Sequence, residues 1–509
     1  MEKRSRTEYS AKNTTVAMIS KMIVLIMAYL TRIVFIKTLN EDYVGVNGLF
    51  TNILNGFSAS TFGLSTAIVY ALYRPVAQGD QEKIKSLLQL YKRLYRVVSL
   101  IVTGLGVMII PFFDVIMKNT PQVEHLVLVY LLYLSNSVVS FFMVYKWTLL
   151  DANQLSYIGT LYQAVFFVAQ YVLQMLVLAM THNIIFYLCI YIACTLLCNM
   201  CVSWRAGRIY PFIKERNVAP LPAEEKKDIW KNVRAMLMHK VGDVMVNNTD
   251  NLIISMFVGT MAVGRYSNYF LIIGSVRQVF DQAFRGITAS VGNLNVLESK
   301  HRVQKIFEST CFVGQWFYGF AAVCLFEMLD PFVELSFGAK FVFTRDIVLI
   351  LCINFFVRGM CMSTMVFRDS LGLFWADRYK SVAEALINVV ASVFLVIHIG
   401  VPGVFIGTFI STILTTFWIE PWVLYRYLGS SPAGYFGRFG IYSIYWCIIW
   451  IVTDWACAKV QGNLLQILFL RMCICLVVPN VMLWLRYHKT KEFQFLYQKI
   501  RTGFRKAGV

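Results

Sequence analysis

Long apolar stretches separated by short polar connections make up most of the chain. Thr15 to Thr38 and Val123 to Leu150 are typical. A helix rises about 1.5 Å per residue, so about 20 apolar residues cross a hydrocarbon core of about 30 Å. The pattern predicts an all-α polytopic membrane protein with about 14 transmembrane helices. Their expected limits are 13–36, 45–72, 92–113, 123–149, 156–180, 184–204, 235–258, 263–290, 309–330, 344–367, 379–398, 402–425, 437–457 and 464–485. Residues 80–96 differ: their apolar positions recur at helical spacing among basic ones, which predicts an amphipathic helix at the inner interface with Asp80 as its N-cap.

Composition agrees. Hydrophobic residues make up 58% of the chain and charged residues 15%, far from a soluble protein of this length. The net charge of +19 raises the possibility of nucleic acid, and the distribution of charge removes it. The polar segments 1–12, 73–96, 205–240, 291–308, 368–380, 425–438 and 486–509 hold 34 of the 47 Lys and Arg residues. The connections on the other side hold only Lys37, Lys118, Lys340 and Lys459. Such asymmetry places the basic side, and with an even span count both termini, in the cytoplasm. The polar, basic N-terminus runs into an apolar stretch too long for a cleavable signal. The outer loops are short, leaving no outer domain for catalysis.

An internal repeat divides the spans. The first span carries Thr31-Arg32, with Val44-Gly45 beginning the return span; the seventh carries Thr249-Asp250, followed by Val263-Gly264. Six spans separate the copies, so both enter the membrane in the same sense, as in transporters built from parallel repeats with a cleft between lobes. The expected organisation is an N-terminal lobe (1–204), a proline-containing cytoplasmic linker (205–234), a C-terminal lobe (235–425), and an extra helix pair with a basic tail (426–509).

Charges inside spans cost about 2.5–3.5 kcal/mol each to insert and are expected to face a cavity or a partner. Residues seven or eleven apart on a helix differ by about 20° in direction. Lys21 and Arg32 therefore share one face of the first span, and Asp243 and Asp250 one face of the seventh, with His239 and Asn247 near the same stripe. Arg277, Asp281 and Arg285 form an i, i+4, i+8 row on the eighth. Arg358 is deep in the tenth and has no local partner. Lys21, Arg32, Arg277, Arg285 and Arg358 are the candidates for holding an anionic group such as a diphosphate. Asp250, Asp243, Asp281 and His239 are the candidates for charge balance or ion coupling. The alternative is a set of ion pairs that only pack helices, or ends that snorkel. Lys146 and Glu384 are expected to snorkel, and Glu327, Glu420 and Arg471 are left unassigned.

Twelve cysteines fall almost wholly in apolar stretches. Cys194, Cys198 and Cys201 could share a helix face, but the reading as small packing residues is preferred, and no metal or other cofactor is expected. No phosphate-binding G-x-x-x-x-G-K-[ST], H-E-x-x-H or G-x-S-x-G occurs, so no catalytic residue is assigned and the chain is not expected to be an enzyme.

The stretch from Arg32 through TLNEDYVGVNGLFTNILNGFSASTFGLSTAIVYALYRPVAQGDQEKI, and NNTDNLIISMFVGTMAVGRYSNYFLI at 247–272, resemble the polysaccharide transport (Wzx-like) family of bacterial flippases. That family belongs to the superfamily of multidrug, oligosaccharidyl-lipid and polysaccharide exporters. The resemblance implies a two-lobed helical transporter in the bacterial cytoplasmic membrane. It implies flipping of a polyprenyl-diphosphate-linked oligosaccharide to the outer leaflet for capsule, exopolysaccharide or O-antigen synthesis. It also implies that Arg32, and with it Lys21, meets the diphosphate. Membrane lipid, a polysaccharide polymerase and glycosyltransferases are the implied partners; nucleic acid is not. An ion-coupled multidrug exporter, a membrane polymerase or ligase, and a scaffold for glycosyltransferases are the competing readings.

Overall fold

The computed structural model describes residues 6–118, 121–153, 155–215, 218, 220–222, 224, 248–297, 300–371, 373, 376–377, 379–490 and 492–494. Among these there is no strand, and ten helices are long and apolar enough to cross a membrane. The chain is an all-α, multi-pass membrane protein. It divides into two compact units, Met1–Gly264 and Arg265–Val509.

The first unit holds α1 (Arg6–Thr38), α2 (Glu41–Gln78), α3 (Gln81–Ile109), α4 (Phe113–Ile116), α5 (Leu126–Ser140), α6 (Trp147–Ala152), α7 (Ser156–Thr181) and α8 (Ile184–Ile209). Residues 248–257 form α9. Helix α1 packs on α7, and α8 packs on α5 and α7. The expected amphipathic segment is the first half of α3, continuous with the span behind it. Gly79 ends α2 in the left-handed conformation at φ 72°, which glycine adopts without a steric penalty. Asp80 then caps α3, accepting a hydrogen bond from the Lys83 N–H at 2.9 Å, as its sequence position predicts.

The fourth expected span is not one helix. It stops at Ser140, Met143 takes φ 67°, and a short 3-10 turn over Val144–Lys146 leads into α6. Backbone freed at membrane depth needs a partner inside the protein. Asn199 on α8 supplies one, its Nδ2 donating to the carbonyls of Val139 (3.2 Å) and Ser140 (3.4 Å). Lys146, expected to snorkel, instead donates to Ser203 Oγ at 2.7 Å.

The two Val-Gly pairs of the repeat pack against each other. A Cβ on Gly264 would lie 3.1 Å from Gly45 N, and one on Gly45 only 2.3 Å from the Thr260 carbonyl oxygen. Val44 and Val263 are fully buried beside them. Glycine allows the backbones this approach, and the neighbouring valines fill the space around it. Asp42 accepts from Gln122 N at 2.8 Å, and Lys118 Nζ donates to the Phe257 carbonyl at 2.6 Å, tying the same end of the unit together.

Helix α10 (Thr260–Leu297) leads into the second unit, which contains α11 (Lys300–Phe337), α12 (Arg345–Ser370), α13 (Lys380–Ile399), α14 (Val401–Leu414), α15 (Thr416–Leu428), α16 (Ala433–Ala458) and α17 (Leu464–Tyr487). The twelfth expected span is likewise broken, at Thr415 (φ −128°, ψ −83°). Thr415 Oγ1 bonds back to the Ser411 carbonyl at 2.6 Å. Helices α13 and α14 form a close hairpin in which a Cβ on Gly403 would meet the backbone of Leu395 at 2.4 Å.

The final pair, α16 and α17, is fastened to α11. Trp446 Nε1 donates to Gln315 Oε1 at 2.6 Å, and Trp316 Nε1 to Asn480 Oδ1 at 3.0 Å. Gly319 leaves room for the indole of Trp446, which a Cβ would strike at 2.0 Å. The carboxylate of Glu327, wholly buried, faces Arg345 at 3.5 Å and Arg471 at 3.7 Å; Arg345 also pairs with Asp454. A buried carboxylate without a cation would be costly, so the two arginines account for where Glu327 can sit.

Candidate functional site

In the first unit, helix α1 places Arg32 near its C-terminal end. Arg32 is surrounded by protein yet partly accessible. Its guanidinium lies 5.9 Å from the centre of the Phe35 ring, and Tyr133 and Tyr187 are within electrostatic range. The Phe35 and Tyr187 rings meet edge to face at 5.4 Å. An aromatic ring therefore lies near a fixed positive charge, and its quadrupole favours the cation. Lys21, three turns earlier, is exposed and flanked by the exposed apolar side chains of Met18, Met22 and Ile23. Asp250 lies buried on α9, with Asn251 and Ser255 buried after it. Asp243 and His239 fall outside the described residues.

In the second unit, Arg277 on α10 reaches Asp281, one turn on, at 3.8 Å. This is the pairing its i, i+4 spacing predicts. Asp281 also accepts from Tyr318 Oη of α11 at 3.3 Å. Tyr318 can reach it because position 359 on α12 is glycine, where a Cβ would overlap the phenol ring at 2.0 Å. The Arg277 side chain is 46% accessible. Arg285 is also on α10, but its side chain lies outside those described. Arg358 is within electrostatic range of Arg277, so two guanidiniums of the second unit share one neighbourhood.

Arg358, which has no local partner in sequence, finds a described one on another helix. Its Nη2 lies 3.4 Å from Glu384 Oε1 on α13. Nor does Glu384 snorkel. It is buried, accepting from Thr416 Oγ1 at 2.8 Å and Thr412 Oγ1 at 3.5 Å on either side of the break in α14–α15. One signal could have found it: Glu384, Asn388 and Ser392 form an i, i+4, i+8 polar stripe in a mostly apolar helix, and all three are buried. Asn388 donates to Thr408 Oγ1 at 2.9 Å and Ser392 to the Val404 carbonyl at 3.1 Å, so the stripe faces α14. Glu420, left unassigned by sequence, is a second buried carboxylate. It is held by Arg368 at 2.9 Å and Lys380 at 2.5 Å.

Among the described residues, no group of three His, Cys, Asp or Glu side chains is arranged to hold a metal ion. Cys198 packs with Leu150, Ile158 and Val202, the apolar role its surroundings predict.

No protein-family model and no curated protein matches the sequence. Solved structures do. The chain is similar to the lipid II flippase MurJ in an inward closed conformation, with TM-score 0.69 and 14% identity over 93% of this chain and 99% of that one. It is similar to an inward-facing multidrug resistance MATE transporter of the MOP superfamily, with TM-score 0.61 and 15% identity over 82% of this chain and 99% of that one. A third is a MOP superfamily transporter from Pyrococcus furiosus whose binding pocket is described as having reversed polarity, with TM-score 0.53 and 14% identity over 82% of this chain and 96% of that one. The chain therefore has the MOP transporter fold.

Proposed function

We propose that this protein is a transporter that carries a polyprenyl-diphosphate-linked oligosaccharide from the cytoplasmic to the outer leaflet of the bacterial cytoplasmic membrane, supplying capsule, exopolysaccharide or O-antigen assembly. The observation that carries the reading is a set of partly accessible guanidinium groups on apolar spans, Arg32 in one unit and Arg277 and Arg358 in the other, on a fold similar to that of the lipid II flippase MurJ. A sugar diphosphate cannot cross hydrocarbon unaided, because burying unpaired charge and hydroxyls costs many kcal/mol. The candidates for lowering that cost by pairing with the diphosphate are Arg32 and Lys21 in the first unit and Arg277, Arg285 and Arg358 in the second, while the lipid tail stays in the bilayer. Asp250, Asp243, Asp281 and His239 balance the cations or take a coupling ion. The protein is a transporter and not an enzyme, with both termini cytoplasmic and with polymerase and glycosyltransferases as working partners.

The test is reconstitution in liposomes holding a lipid-diphosphate oligosaccharide, with leaflet exchange scored by access of a membrane-impermeant lectin. Exchange that depends on the protein and is lost in Arg32→Ala supports the reading; exchange equal to protein-free liposomes refutes it. The likeness to multidrug transporters favours a second reading, export of cationic drugs. That reading predicts ethidium efflux from the same liposomes and no exchange of the lipid.

A further inference from the structure

Arg358 is the one cation of the second unit's candidate set whose described carboxylate partner comes from another helix. The pair is loose, at 3.4 Å, and the arginine side chain remains 22% accessible. Glu384 is held differently. Its other oxygen accepts from Thr416 at 2.8 Å, and its own exposure is 8%. The carboxylate is thus fixed by the hydroxyls at the helix break, whereas the guanidinium is the more accessible member of the pair. Arg277 stands within electrostatic range. It is tied to Asp281 at 3.8 Å, too long for a normal hydrogen bond.

Resting on the reading that Arg277 and Arg358 take the substrate's diphosphate, we propose that Glu384 is a built-in competitor for Arg358: it occupies the guanidinium in the empty protein and yields it to the diphosphate of the lipid-linked substrate. A phosphate group offers a guanidinium two acceptor oxygens, as a carboxylate does, with more negative charge, and Arg277 adds a second cation that Glu384 does not contact. When Arg358 turns to the substrate, Thr412 and Thr416 remain as donors to Glu384, so the released carboxylate is not stripped of every partner. Glu384 thereby sets affinity as a positioning residue, without touching the substrate. A diphosphate held too tightly could not leave on the far side, and an internal competitor keeps binding weak enough for release.

The experiment is calorimetric titration of the purified full chain in detergent with inorganic pyrophosphate, alongside leaflet exchange of the lipid-linked oligosaccharide. Glu384→Gln keeps the side chain's shape and removes its charge. It is expected to bind pyrophosphate about tenfold tighter than wild type, the scale of a modest charge-pair coupling, and to flip lipid more slowly. Arg358→Gln loses that binding, and adding Glu384→Gln to it restores nothing. Thr416→Val is read beside these: with one donor fewer, Glu384 leans harder on Arg358, and pyrophosphate binding falls. Unchanged or weaker binding in Glu384→Gln, or tighter binding in Thr416→Val, overturns the competitor role while leaving the diphosphate site standing if Arg358→Gln still abolishes binding. Wild-type binding in both Arg358→Gln and Arg277→Gln removes the site, and the competitor with it.

Discussion

Two glycines show how single residues shape this protein. Gly359 sits beside Arg358 and leaves the space that Tyr318 needs to reach Asp281. Gly359→Val is expected to push the phenol away, costing about 1–3 kcal/mol as overpacked cores do, and to slow lipid exchange. Gly274→Ala is the control: its nearest side-chain atom is 4.0 Å from the added Cβ and alanine favours a helix interior, so melting temperature in detergent should hold or rise there and fall in Gly359→Val. Gly45→Leu should be worse than either, because its obstacle is the Thr260 backbone carbonyl at 2.3 Å, which cannot rotate aside. Among charged residues, Arg32→Ala and Asp250→Ala are expected to abolish polysaccharide export with protein level unchanged on immunoblots. Wild-type export from both would remove those residues from the site. The stripe on which Arg32 was found was legible in sequence because a charge in an apolar span has few tolerable places. Its tyrosine neighbours were not, since they come from α5 and α8.

At the scale of elements, the helix pair α16–α17 and the two broken spans stand out. The pair is fastened to α11 through Glu327 and Arg471, as well as through Trp446 and Trp316. Arg471→Ala leaves Glu327 with Arg345 alone and is expected to cost about 3 kcal/mol, as when one partner of a buried ion pair is removed. Adding Glu327→Gln should recover much of that loss. Thermal unfolding of the three proteins in detergent checks this, and equal melting temperatures would show that the ion pair contributes nothing to holding the helices together. Neither interruption, at Met143 or at Thr415, could be seen from hydropathy. A break in a membrane helix depends on what receives the freed carbonyls, and at Ser140 the receiver is Asn199, 59 residues along the chain.

For the whole molecule, the uneven distribution of lysine and arginine makes an orientation prediction. A single cysteine at Val460, in a background lacking the native twelve, should react with a membrane-impermeant maleimide added outside intact cells. One at Ser430 should react only after permeabilisation. The reverse pattern would invert the topology. Sequence alone determined the solvent, the all-helical class, the approximate number of spans and the cap at Asp80. Each is governed by composition over one local window and by the thickness of the bilayer. Tertiary structure alone decided which buried charges are matched. Arg358 with Glu384, Glu327 with two arginines, and Glu420 with Arg368 and Lys380 are pairings between different helices. In a medium that penalises every unpaired charge, a residue's role depends on the partner that packing brings to it, and no window of neighbouring residues contains that partner.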